Sequence, residues 1–248
     1  YTHTESKEVS GLPGSDPIST WQGLNTIDGS NYVDAQRSQY VVPDKVIASV
    51  GYYIPFRHKG LLRGTHLNLF YSGYSSGGYS FCTNDMNGDG INNDLMYIPK
   101  DDSEINFKTE EDRVAFWKFV YQDSYLKNHK GQYAEAYAAR APWVHRFDFR
   151  LLEDFEFKIG KTKHCFQLSF DIMNVGNLIN SKWGISKTNT VSNSNRILKY
   201  EGVKSATDLT PVFSMYKVNG EYPTKTYDTY QNYSECWKLQ VGIRYVFN

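Results

Sequence analysis

The chain lacks any run approaching the roughly 20 consecutive apolar residues that a membrane-spanning helix requires. With a mean hydropathy of -0.57, a helical membrane protein is excluded. That argument does not reach β-barrels, whose strands hide half their residues in a polar interior. Excess charge of either sign is also missing: 27 basic and 27 acidic residues cancel, leaving no sequence-wide field for nucleic acid or anionic lipid. Nucleic acid is therefore not an expected partner. Cysteine is scarce, and Cys82, Cys165 and Cys236 have no metal-ligand spacing and cannot all pair within the chain. The opening Tyr1-Thr2-His3-Thr4 carries neither an initiator Met nor a basic and apolar leader. It reads as starting inside a strand, so the chain is expected to belong to a longer protein. Catalytic groupings are lacking too: the histidines are dispersed, and no nucleophile elbow, zinc-ligand pair or phosphate loop occurs. No enzymatic activity is expected.

Aromatic residues are plentiful, at 16% of the chain with 20 Tyr, which suits interfacial girdles or a sugar-binding surface. The final stretch shows how they are arranged. Trp237, Leu239, Val241, Ile243, Tyr245 and Phe247 share one face of a strand, and Lys238, Gln240, Gly242, Arg244 and Asn248 share the other. Only Val246 breaks the alternation. Aromatics at both ends of the apolar face fit a strand crossing a bilayer between two girdles, its polar face lining a lumen.

Five further strands follow the same rule. Tyr1 to Val9 alternates weakly and runs into the turn formers of Ser10 to Pro17, followed by a long polar loop to Val42-Pro43. Val46, Ala48, Val50, Tyr52 and Ile54 share a face of the second strand, and Phe56-Arg57-His58-Lys59-Gly60 turns the chain back. The third strand sets Leu67, Leu69 and Tyr71 against His66, Asn68 and Ser72, with Phe70 an exception on the polar side, and dissolves in Gly73 to Gly78. The fourth has the clearest pattern: Trp143, Phe147, Phe149, Leu151, Phe155, Phe157 and Ile159 oppose Arg146, Asp148, Arg150, Asp154, Glu156 and Lys158, with His145 and Glu153 imperfect. Gly160-Lys161-Thr162-Lys163 makes a tight turn into the fifth, where Phe166, Leu168, Phe170 and Ile172 oppose Gln167, Ser169 and Asp171.

Two excursions remain. Between the third and fourth strands, Thr109 caps a helix whose first turn carries Glu110, Glu111 and Asp112, with Val114, Trp117, Val120, Tyr121 and Ser124 as its spaced face. Gly131 is expected to interrupt it, and a second helical piece to run from Gln132 to Arg140. The excursion before the last strand carries a polar hairpin with arms Ile197 to Tyr200 and Val212 to Val218. Read backwards from the C-terminus, the connections are long, short, long, short, long. Transmembrane barrels have short periplasmic turns and long extracellular loops, so this order puts Asn248 and both short turns in the periplasm. Six strands do not close a barrel, and the others would lie upstream.

The ending Gln240-Val241-Gly242-Ile243-Arg244-Tyr245-Val246-Phe247 resembles the outer-membrane assembly signal, with Asn248 added after the aromatic. Three runs are similar to segments of Oar-like TonB-dependent receptors of Bacteroidetes: Asn84 to Pro99 (Asn-Asp-Met-Asn-Gly-Asp-Gly-Ile-Asn-Asn-Asp-Leu-Met-Tyr-Ile-Pro), Ala139 to Asp148, and Asp171 to Gly184. The resemblance covers essentially the whole chain. It implies an all-β fold in which residues 1–248 form the C-terminal strands of a 22-stranded transmembrane β-barrel, with long extracellular loops, one containing helix. A plug domain and the earlier strands would lie outside the sequence, as would the TonB box. The implied function is TonB-dependent active transport of a nutrient (an oligopeptide, glycan or chelate) across the outer membrane. The alternative is a surface-exposed binding or adhesion protein anchored by the barrel. Implied partners are outer-membrane lipids and lipopolysaccharide, the TonB complex through the missing N-terminal part, and a surface lipoprotein.

Within the first of those runs, Asp85, Asn87, Asp89, Gly90 and Asp94 fit the start of a Ca²⁺ loop, with Ile91 offering a backbone carbonyl. A full EF-hand is excluded because Met96 stands where the bidentate Glu belongs. An Asn/Asp/Gly-rich surface turn explains the same residues. The inward charges Arg146, Asp148, Arg150, Asp154, Glu156, Lys158, Asp171, Lys238 and Arg244 could form a substrate path, but their mixed signs favour bonding to a plug and to one another. Outer aromatics, among them Trp21, Tyr32, Tyr74, Tyr79, Trp183, Tyr216, Tyr222, Tyr227 and Tyr230, could stack on a sugar, grip a peptide or pack the loops. No residue is assigned to substrate binding. Cys82 and Cys236 fall on the same outer side, where pairing is open to them; free thiols are the default.

Overall fold

A computed structural model describes residues 1–9, 16–56, 61–75, 78–191, 196–230 and 232–247. The turn residues at 10–15, most of the short connection at 57–60 with His58, and Asn248 lie outside them. The fold is mainly β, with 44% of residues in strands and 15% in helix. Its frame is a single antiparallel sheet of β1 (Thr2–His3), β2 (Asp44–Pro55), β3 (Leu62–Tyr74), β4 (Val144–Ile159), β5 (Thr162–Met173) and β6 (Lys238–Phe247), adjacent in that order. Among the described residues the sheet is open, with no closure of β6 onto β1.

The register is what the alternation requires. Val50, Leu69, Phe149, Ile172 and Leu239 stand in one row across five strands, and Tyr52, Leu67, Leu151, Phe170 and Val241 form the next. A one-residue slip anywhere would mix the faces. Val246, the exception to alternation, pairs with Cys165 and so lies on the polar side. Gly160 and Lys161 form a two-residue hairpin between the paired Ile159 and Thr162, tighter than the sequence suggests, and Gly160 has φ +60 as such turns demand. At Gly64 the Tyr53 ring lies where a Cβ would go, an aromatic covering a strand glycine.

Three departures from the sequence reading concern the backbone. Only Thr2–His3 of the first strand joins the sheet, against Lys45 and Asp44; Lys7–Glu8 instead pairs with Gln36–Arg37. Within the polar loop, Asp16 caps a helix, α1 (Pro17–Gln22), by accepting the Ser19 N–H. The expected second helix over Gln132 to Arg140 does not form. Its backbone is taken by distant strands, Gln132–Tyr133 pairing with Tyr97–Ile98 and Ala139–Arg140 with Gly78–Tyr79, and Tyr137 has φ +54.

The helix capped by Thr109 does form, as α2 (Glu110–Gln122), and ends before Gly131 because Asp123 starts α3 (Ser124–Asn128) by accepting the Leu126 N–H. Its buried face differs from the expected one. Trp117 and Val120 are buried as expected, but Val114 and Tyr121 are exposed and Phe116 and Phe119 are enclosed instead, with Phe81, Met96, Ile98 and Leu126. The hairpin Leu198–Val203 with Pro211–Met215 closes over this core and adds Asn106–Phe107 as a parallel third strand. Two carboxylates fasten it. Asp112 accepts the Met215 N–H at 3.0 Å, the Tyr222 hydroxyl at 3.0 Å and the Thr109 hydroxyl at 2.7 Å. Glu201 accepts from Lys108, Lys199 and Ser214, and these bonds hold its carboxyl down at about 2. The largest hydrophobic core therefore lies in the loops rather than against the sheet.

Phe116→Ala is expected to cost the loop assembly about 3–5 kcal/mol. Limited proteolysis would show faster cleavage between residues 78 and 142, with the sheet strands protected as before.

Candidate functional site

Three groupings carry polar chemistry. The first is the polar face of the sheet. Arg150 is bonded to Asp171, Asp154 accepts from Gln167 at 2.8 Å and meets His66 at 3.1 Å, and Glu156 lies between Arg63 at 3.2 Å and Lys163 at 2.9 Å. Each pair joins neighbouring strands, as the mixed signs suggest. Lys158, Lys238 and Arg244 share this face with no ion pair among the described residues. Such charge-assisted bonds knit the wall laterally.

The second grouping stands where strands give way to loops. Asn174, in the left-handed conformation at φ +53, follows β5 and precedes α4 (Val175–Ile179). Its N–H donates to Asp148 at 2.7 Å, and its amide Nδ2 donates to the carbonyls of Glu235 at 2.8 Å and Gly184 at 3.1 Å. Asn177 accepts the Trp237 N–H at 3.1 Å. Glu235 accepts from Arg146 and from the Ser186 N–H; although burial pushes its carboxyl up, these bonds hold it below the usual range. Two of the family-like runs, Ala139 to Asp148 and Asp171 to Gly184, thus meet here. In the sequence, Asn174-Val175-Gly176-Asn177 reads as a strand end inside one of the three similar runs, and Glu235 stands out in no way. An Asn pair spaced by three, just past an alternating strand, was the available signal.

The third grouping is the run from Asp85 to Asp94. Asp85 accepts the N–H groups of Gly88 at 2.7 Å, Gly90 at 2.8 Å and Asp89 at 3.1 Å. Asp89 accepts the Ile91 N–H at 2.8 Å. Asp94 takes the Met86 N–H at 2.6 Å, the Asn87 N–H at 2.9 Å and the Asn87 amide at 2.8 Å. Burial pushes the Asp94 carboxyl above its usual range despite these donors. The five residues proposed from sequence, Asp85, Asn87, Asp89, Ile91 and Asp94, therefore come together in one turn closed by its own amides. Among the described residues, no group of three or more His, Cys, Asp or Glu side chains is placed to hold a metal ion. The run is tied to the first loop by Leu95 N–H to Thr26 O at 2.7 Å and by the Asn87 amide to Ile27 O at 3.3 Å.

The aromatics expected on the outer side differ in their surroundings. Tyr79 and Tyr227 are joined hydroxyl to hydroxyl, and Tyr222 is spent on Asp112. Trp21, Tyr32, Trp183 and Tyr230 are exposed separately. All three cysteines are free thiols; Cys82 is fully buried, which pushes its thiol up to about 12, while Cys236 is exposed. No protein-family model, curated protein or solved structure matches the chain.

Asp85→Ala removes the acceptor of three amides and is expected to cost the turn about 1–3 kcal/mol. Amide hydrogen exchange should accelerate at Gly88, Asp89 and Gly90 and stay unchanged in β4 and β5.

Proposed function

We propose that residues 1–248 are the C-terminal part of a 22-stranded TonB-dependent outer-membrane receptor barrel, importing an oligopeptide, glycan or chelate past a plug. The observation that carries this reading is the exposed apolar face of the sheet. Its rows of Val, Leu, Ile and Phe are bounded by two aromatic belts. One, beside the two-residue turn, contains Phe157, His164, Phe166, Tyr245 and Phe247, with Phe166 and Tyr245 centroids 4.6 Å apart. The other, beside the loops, contains Trp143, His145, Phe147 and Tyr71, the last two 5.0 Å apart.

From Phe147 to Phe157 the strand advances about 33 Å, or about 25 Å along the normal at a barrel tilt, the height of an outer-membrane apolar band. Val50 at 69%, Val241 at 56% and Ile243 at 71% exposure have no protein cover. Apolar rows of that extent call for lipid or a partner. Glu153 is the one acidic side chain between the belts on this face among the described residues, and it is bonded to the Thr65 hydroxyl at 2.8 Å. Among the described residues no helix is long and apolar enough to cross a membrane, so strands are the crossing elements in this reading. The outer edges of β2 and β6 are largely unpaired among the described residues. In hydrocarbon they need partner strands, which the rest of the barrel would supply.

In this reading the loop assembly faces outward and the last strand ends at the periplasm. Outer-membrane lipids and lipopolysaccharide contact the wall, the TonB complex engages a preceding plug, and a surface lipoprotein is a further candidate partner. The protein acts as a transporter and not as an enzyme. A loop assembly with its own core also serves the alternative, a surface binding or adhesion protein. Ca²⁺ held by Asp85, Asn87, Asp89, Ile91 and Asp94 remains a proposal within the same reading; an alternation of oxygen donors supports it.

Val241→Arg places a cation mid-wall and is expected to cost about 2–4 kcal/mol in a bilayer. The full-length protein should migrate as a compact band until heated, and the variant should lose compactness at lower temperature; a species without heat-dependent migration would sink the barrel. Calcium is tested separately: 1 mM Ca²⁺, chosen at about the upper range of extracellular-type sites, should slow amide exchange across residues 85–94, and Asp89→Ala should abolish the effect.

A further inference from the structure

Between the Asp85–Asp94 turn, the Tyr97–Ile98 strand and the polar hairpin lies a cavity of about 440 Å³. Ligand pockets of small molecules begin at about 300 Å³, so a dipeptide-sized group fits. Met96, Ile105, Leu198 and Phe213 give it apolar walls, and the Tyr97 and Tyr133 rings, 5.2 Å apart, close one side. Its charge has one sign. Asp28, Asp94 and Glu104 line the cavity, and no Lys, Arg or His does.

The acids are not equally engaged. Asp94 is spent on the turn, and Glu104 accepts the Lys100 N–H at 2.7 Å and the Tyr97 hydroxyl at 3.0 Å, both through Oε2. Its Oε1 has no hydrogen-bond partner among the described residues, and Asp28 is exposed at the mouth with none. Deeper in, Thr83 is 6% exposed and its hydroxyl oxygen is buried without a hydrogen-bond partner among the described residues. A buried polar atom left unpaired costs free energy that a bound donor would recover. Apolar walls, unspent carboxylate oxygens and an orphaned hydroxyl together describe a site waiting for a cation on an apolar body.

We propose that this cavity binds an organic ammonium or guanidinium carried on an apolar or aromatic group, such as a lysine or arginine side chain beside an aromatic residue in a peptide. The body packs on Leu198 and Phe213, the cation meets Asp28 and Glu104, and Thr83 pairs with a donor of the ligand. That such a peptide reaches the cavity from outside the cell rests on the barrel reading; the charge preference of the cavity does not.

The test uses the full-length protein in detergent and two probes of matched shape, N-acetyl-Phe-Lys-amide and N-acetyl-Phe-Glu-amide, with affinity measured by calorimetry. The lysine probe should bind about tenfold tighter than the glutamate probe. Asp28→Asn, which breaks no contact within the fold, should lower that preference about threefold, and added salt should weaken it. Thr83→Val should weaken the lysine probe while leaving thermal stability intact. Equal binding of both probes, or no binding of either by protein that still migrates compactly until heated, overturns the cavity proposal and leaves the barrel standing. Preference for the lysine probe in protein lacking heat-dependent migration supports the cavity and sinks the barrel.

Discussion

Everything in this fold depends on the backbone ladder that locks five long strands into one register. Phe149 stands opposite Ile172 and Leu69 at once, so the identity of its face is decided on both sides by neighbours that obey the same rule. Each of those pairings satisfies backbone donors and acceptors that would otherwise be left without partners. A slip of one residue would put Arg150 and Asp171 where Leu151 and Phe170 now stand, and the salt bridges of the polar face would then lie among apolar rows. Apolar alternation and ion pairing are thus two readings of a single constraint.

The loops solve a different problem. They do not cover the sheet: its polar face is occupied by charge pairs and many of its apolar side chains stay exposed. They therefore bury Phe81, Phe116, Phe119, Met96 and Ile98 among themselves. The Asn174 junction connects the two regions by hydrogen bonds rather than by packing: its side chain and backbone reach Asp148 on one strand and the segment leading into β6 on the other side. A left-handed Asn can make those bonds where a helical residue could not. A sheet and self-cored loops, joined by hydrogen bonds at Asn174, are the arrangement the proposed receptor would use to hold a binding surface above a lumen.

The strands were legible because their signal is local. Period-2 alternation at 143–159 needs no knowledge of partners, and Thr109 before three acidic residues announces a helix start in the same way. What stayed hidden was long-range. Gln132 to Arg140 has helical composition, yet the backbones of Tyr97–Ile98 and Gly78–Tyr79 claim it. The buried face of α2 is legible only in part: Trp117 and Val120 are enclosed as their spacing suggests, but Phe116 and Phe119 are buried in place of Val114 and Tyr121, a choice that only the surrounding core makes. At the candidate site, the Asp85–Asp94 turn could be read from its Asn, Asp and Gly. Its attachment to Thr26 and Ile27, its orphaned neighbour Thr83 and the acids Asp28 and Glu104 could not, since they arrive from separate segments.

In the proposed receptor one face of this sheet meets lipid. Spin labels placed singly at residues 239 to 245 of β6 in the reconstituted full-length protein would test it most directly, by comparing their collisions with oxygen and with a polar nickel chelate. Oxygen access is expected at 239, 241, 243 and 245, with a switch away from it at 240, 242 and 244. Equal chelate access on both faces, or no access to either reagent at the odd positions, would contradict it and place the apolar rows against water or protein.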